Sequence, residues 1–268
     1  MVYAHGKNMY PILDKIKYFN FSCYFRRLKL SYKYVISMPI RTSKYETIYF
    51  EEKTEIDGVS IVPQNENQIK LQMELIGDDD QQVLEIAKKK MESIVLALTI
   101  VSGAPLILSD VQIERKESTS EKQKTITLIK TLTCTYNIIK AKKLEDKQLE
   151  QVSILATKLE SLTPDEREAL LRIHRWFCRA KFDMDPIDRF IQLYIALEVI
   201  GERKYPNESY TNRVKQTLID HINDSRLAED IVKTRSALLH SGKKETEVNR
   251  YIPYMENTIL GIMREYLD

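Results

Sequence analysis

Seven glycines serve the whole of this 268-residue chain, and no two of them stand within a dozen positions of each other. Glycine spacing decides whether bare backbone can approach a pyrophosphate in the common nucleotide motifs. The G-x-G-x-x-G turn needs three close glycines and the P-loop needs two, so the standard dinucleotide and P-loop nucleotide folds are excluded. The apolar share of 43% and charged share of 30% suit a packed core. The length suits one or two domains. A net charge of +2, from 41 basic and 39 acidic residues, gives no basic coat for nucleic acid and no acidic tail.

The hydrophobic period divides the chain. Residues 19–25 alternate apolar and polar, as do 32–38 and 69–75, which is the period of a half-buried strand. Residues 45–50 and the threonine-rich run 126–136 are further strand candidates. One helix interrupts them: Val83, Ile86, Ala87, Ile94, Val95 and Leu98 share a face. Asp78, Asp79 and Asp80 precede it, where negative charge suits a helix N-terminus better than it suggests a metal site. From about Lys140 the period turns helical and stays so. Thr163-Pro164-Asp165-Glu166 and Asp185-Pro186 read as helix starts, and Ser209 and Asp224 as caps for two more helices. The expectation is an α+β chain in three parts: a mixed, mostly antiparallel sheet with one long helix over 1–140, a linker helix over 141–163, and an all-α bundle of about five helices over 164–268.

Three separated cysteines, Cys23, Cys134 and Cys178, point to a reducing compartment. No signal peptide is visible at the start, and a cytoplasmic location is expected. The uncharged run from Ser93 to Ser109 is short for a membrane span and contains Gly103 and Pro105, so a buried helix followed by a strand is expected there, and no membrane association. No C-x-x-C or H-E-x-x-H occurs, and neither a metal nor any other cofactor is expected. His174 and Cys178 stand four apart on one helix, but nothing nearby completes a metal site or orients a thiol nucleophile.

Two charges fall where helical period demands apolar residues. Residues 190–200, FIQLYIALEVI, are apolar almost all round and belong in the middle of a bundle, yet they include Glu198. Arg235 falls on the apolar stripe of Leu227, Ile231, Leu238 and Leu239. An arginine there must find an anion, and Glu198 is the candidate. His240 follows five residues after Arg235, a rotation of about 140°. One helix therefore does not set the two side by side; unwinding, or a second copy across a symmetry axis, would.

Arg235-Ser236-Ala237-Leu238-Leu239-His240 is an R-x4-H run. Together with Leu171-Arg172-Ile173-His174-Arg175-Trp176-Phe177 and the segment from Asp188 to Glu198, in that chain order, it resembles the Apea-like branch of the HEPN-domain family. The resemblance covers roughly 164–268. It implies an all-helical domain, a homodimer joined through that domain, and a metal-independent endoribonuclease in a defence or toxin role. An inhibitor or antitoxin would be its restraining partner.

By the same resemblance, Arg235 would hold the scissile phosphate, His240 would act as general acid and base, and Ser236, where many members carry Asn, Asp or His, would donate to a phosphate oxygen. Glu198 would orient Arg235. Arg172, Arg175 and Arg179, spaced three and four apart on one helix face, are candidates for RNA binding in a domain that has 17 basic and 18 acidic residues. Two readings of other classes stay open: a non-catalytic dimerisation module with a structural Arg235–Glu198 pair, and an RNA- or nucleotide-binding regulator without cleavage.

Overall fold

The computed structural model describes residues 32–42, 46–65, 68–109, 111–116, 140–241 and 247–267. The expected strands at 19–25 and 126–136 lie outside the described residues. Those described all belong to one compact unit, Ser31–Asp268.

Alternation of side chains builds the sheet. β1 (Tyr32–Thr42) buries Tyr34, Ile36, Met38 and Ile40 on one face, and Val35 and Ser37 on the other are buried as well. It pairs antiparallel with β5 (Gln68–Gly77) in a register that sets Ile36 opposite Met73 and Met38 opposite Leu71. β3 (Thr54–Ile56) and β4 (Val59–Asn65) form a hairpin that extends the sheet beyond β5. The hairpin turns on Asp57 and Gly58, both at positive φ (48° and 75°). Asp-Gly is the pair such a tight turn favours. β6 (Leu106–Leu108) and β7 (Gln112–Lys116) pair with the other side of β1. β2 (Glu46–Tyr49) stands apart, paired in parallel with β8 (Lys140–Lys143).

That last pair corrects the expectation that helix begins at about Lys140. Residues 140–143 form a strand, and α2 (Asp146–Ser161) starts later, capped by Glu145. Lys-Ala-Lys-Lys has no strand pattern of its own. Its partner strand lies far back in the sequence, and the Glu51 carboxylate accepts from Lys143 at 2.7 Å.

α1 (Asp80–Ser102) begins at Asp79, whose side chain accepts from the amides of Gln81 and Gln82, and ends at Gly103 with φ 74°. Every residue from Ser93 to Ile100 is buried. A helix covered all round needs neighbours on several sides: β5 and β6 flank it from the sheet and α2 from the bundle. The uncharged run from Ser93 is thus a core helix followed by β6, as expected. No helix among the described residues is long and apolar enough to cross a membrane.

The remaining helices are α3 (Pro164–Phe182), α4 (Pro186–Lys204), α5 (Tyr210–Ile222), α6 (Ser225–Ser241) and α7 (Val248–Glu265). Thr163 and Glu166 form a reciprocal capping box on α3, Asp185 caps α4, and Ser209 caps α5. Asp224 accepts from the amides of Arg226 and Leu227 at the start of α6. α4 takes the central place its sequence predicts, against α3, α5 and α7. Its Gly201 lets α5 approach: a Cβ there would come within 2.9 Å of Arg213 Cβ and 3.0 Å of its carbonyl carbon.

One buried cation ties three helices together. Arg167 of α3 donates to Ser93 Oγ (2.8 Å), the Lys89 carbonyl (2.6 Å) and the Leu159 carbonyl (3.2 Å), and meets Glu92 at 3.4 Å. It thereby joins α3 to α1 and α2 at once. The protein is therefore α+β, an antiparallel sheet followed by helices.

Candidate functional site

The last long stretch of α6 carries the R-x4-H residues, and α4 and α5 supply the walls around the arginine. Arg235 reaches inward as its place on the stripe requires. Its guanidinium lies between two tyrosine rings, 5.4 Å from the centre of Tyr194 and 5.3 Å from that of Tyr210. One Nη2–H donates to Tyr210 Oη at 3.2 Å. Glu198 Oε1 stands 3.8 Å from the same nitrogen. This is ion-pair distance without a hydrogen bond.

The stripe is narrower than expected. Leu239 is 53% exposed, so it faces away from the core that Ile231 enters.

Glu198 is the electrostatically strained member. Its side chain is 16% exposed, and its Oε1 is buried with no hydrogen-bond partner among the described residues. Burial pushes its pKa up to about 7, and the positive charge of Arg235 only partly opposes that. Tyr194, four residues earlier on the same face of α4, is pushed up to about 12 by burial and by the Glu198 charge. Near neutrality, then, the Glu198 carboxyl titrates while Tyr194 stays a phenol. Thr234, beside Arg235, also buries its hydroxyl without a partner among the described residues.

His240 and Ser236 occupy different ground. Both are exposed on α6. His240 makes no hydrogen bond to any described residue. In one copy of the chain, the structure places Arg235 and Glu198 together and leaves His240 and Ser236 facing outward.

Arg172, Arg175 and Arg179 of α3 are exposed, on one helix face. Arg175 is neutralised by Glu168 at 2.6 Å. Arg179 stacks over Trp176, with 4.9 Å from its Cζ to the ring centre. Arg172 has no described partner. The guanidinium of Arg235 draws its contacts from α4 and α5, not from this face.

His174 and Cys178 do meet, but in the core. The thiol lies 3.3 Å from His174 Nε2, and Thr99 Oγ1 lies 3.1 Å from the same nitrogen. Burial drives the histidine down to about 4, assisted by the Arg175 charge. Burial also drives the thiol far up. A neutral imidazole and a protonated thiol make no nucleophile. Among the described residues no group of three or more His, Cys, Asp or Glu is placed to hold a metal ion.

Sequence reasoning missed Tyr194 and Tyr210. Tyr194 was within reach, since it precedes Glu198 by four residues and so shares its face. Tyr210 comes from the first turn of the next helix, and only the packing of α5 on α6 brings it to Arg235. No known protein family, curated protein or solved structure matches the chain.

Proposed function

We propose that the chain is a metal-independent endoribonuclease of HEPN type, working as a homodimer through its helical half in a defence or toxin role. The observation that supports this reading best is the setting of Arg235. An arginine with 28% of its side chain open to solvent is held in place by two aromatic rings, and its nearest carboxyl is only loosely paired with it. Such a guanidinium keeps charge to offer a phosphate, and its planar fork suits two phosphate oxygens.

In the proposed reaction the RNA 2′-hydroxyl attacks the adjacent phosphorus while the P–O5′ bond breaks. His240 of one copy takes the 2′-hydroxyl proton, and a second imidazolium, His240 of the other copy, gives one to the departing 5′-oxygen. The products are a 2′,3′-cyclic phosphate and a 5′-hydroxyl. Arg235 neutralises the phosphate, Ser236 donates to one of its oxygens, and Glu198 positions Arg235. Arg172 and Arg179, unneutralised by any described carboxylate, would hold flanking RNA.

A second reading has its own support. Arg235 already finds a hydrogen bond, two rings and a carboxylate inside one copy, as an arginine that only docks helices would. On that reading the domain is a non-catalytic dimerisation and binding module. Cleavage of a labelled structured RNA in EDTA decides between them. Wild type should cut and leave cyclic-phosphate ends, while His240→Ala and Arg235→Ala, each verified as folded by circular dichroism, should not. Equal cleavage by His240→Ala, or none by a folded wild-type dimer, favours the binding module.

A further inference from the structure

A cleft of about 670 Å³ runs between α1 and α3, away from Arg235. Along α1, Glu85, Lys88, Lys89, Glu92 and Val95 recur at helical spacing on the face that lines it. α3 answers with Arg167, Leu171, His174 and Arg175 at the same spacing. Arg167 bonds across to α1 in the floor, so the two helices are fixed, yet the space above is not filled by side chains. Ile107, Leu108, Leu162 and Leu171 line it and are left half-buried, which gives the cleft an apolar wall.

The charge in the cleft has a sign. Lys88, Lys89, Arg167 and Arg175 face Glu85, Glu92 and Glu168. Arg175 is neutralised by Glu168. Glu92 is shared between Lys88 at 3.9 Å and Arg167 at 3.4 Å. Three of the bonds made by the Arg167 guanidinium go to uncharged oxygens. Its one described carboxylate, Glu92, is thus shared with Lys88, and only 11% of the Arg167 side chain is exposed. His174, held neutral at the other end, adds none. Lys89 has no carboxylate partner among the described residues. Glu85, one turn earlier and exposed, is the opposing group with no described partner.

We propose that this cleft binds a small amphipathic anion, a carboxylate on an apolar chain. The head would lie at Lys89 and the Arg167 end, and the chain would run along Leu171 toward Ile107 and Leu108. Such a ligand touches α1, which carries the sheet, and α3, which opens the bundle, so occupancy would clamp the two together.

Titration of the full chain tests this, followed by calorimetry and by the fluorescence of Trp176, the single tryptophan, which adjoins Arg175. The probes are decanoate, decan-1-ol and decyltrimethylammonium. Saturable binding of decanoate at one site is expected, with the alcohol and the cation weaker by about tenfold or more. Lys89→Ala should weaken decanoate several-fold and Glu85→Gln should tighten it. Leu171→Phe, which adds volume to the cleft wall, should abolish binding while circular dichroism stays unchanged. Absence of saturable binding overturns the proposal. So does equal affinity for alcohol and carboxylate, a preference for the cation, or decanoate binding that Leu171→Phe leaves intact.

Discussion

Glu198→Gln gives the sharpest test of the Arg235 niche, because loose pairing and tight pairing predict opposite signs. In the structure the carboxyl has one oxygen buried without a donor among the described residues and its cation 3.8 Å away. Burial outweighs that cation, and the pKa rises from 4.5 to about 7. A carboxyl raised in the folded state binds its proton more tightly there than in the unfolded chain. Stability is then intact below about pH 4.5, falls as pH climbs from 4.5 toward 7, and levels off above 7. At 1.36 kcal/mol per pH unit, the full loss is about 3 kcal/mol. Glutamine keeps the shape and discards the ionisation. The variant should therefore exceed wild type by about 1 kcal/mol at pH 5 and about 3 kcal/mol at pH 8. The pH 8 difference corresponds to a rise in Tm of about 6–12 °C for a chain near this size. Urea unfolding of both proteins from pH 5 to pH 8.5 measures it directly. If Glu198→Gln is instead less stable than wild type at pH 8, the ion pair is a net stabiliser, and the account of a strained, half-neutral carboxyl is wrong.

Other expectations follow from named contacts. His240→Ala should leave stability within about 0.5 kcal/mol of wild type in urea unfolding, because an exposed side chain with no described partner is lost. Arg167→Ala should cost about 3–5 kcal/mol in the same assay, since Ser93, two carbonyls and Glu92 lose their shared donor in the core. Thr163→Ala should cost about 1 kcal/mol through the lost cap of α3. Cys178 should resist alkylation at pH 8 in the native protein and react after denaturation, as read by mass spectrometry of its peptide; ready native labelling would contradict its burial beside His174.

Local signals made much of the fold legible. Caps at Asp79, Thr163, Asp185, Ser209 and Asp224 are short-range chemistry, and each stands where its residue type and spacing place it. The period-two runs of β1 and β5 were equally plain. The β3–β4 hairpin carries its mark in Asp57-Gly58, but its flanking strands are short and their alternation too weak to announce it. β8 could not be read at all, because four residues with three lysines become a strand only through a distant partner. The same division holds at the candidate site. Glu198 and Arg235 announced themselves as charges on apolar stripes. Tyr210 and the orphaned Glu198 oxygen depend on how α4, α5 and α6 meet.

The position of His240 decides what one copy of this chain can do. Arg235 and His240 are five residues apart on an unbroken helix, about 140° around the axis and about 7.5 Å along it. Arg235 is turned toward α4 and α5, so His240 must point elsewhere, and it is exposed. A phosphate held by Arg235 is therefore beyond an imidazole of the same copy unless the helix end unwinds. Two copies that pack their α6 ends against each other remove the difficulty, since each can bring His240 to the other's arginine. Leu239, exposed between Ser236 and His240, gives that contact an apolar centre. Leu239→Asp should then weaken self-association and RNA cleavage together, measured by sedimentation and by product formation on the same samples. Cleavage that survives in the monomer would rule out a site shared between copies and leave unwinding of the α6 end as the only way to join the two side chains.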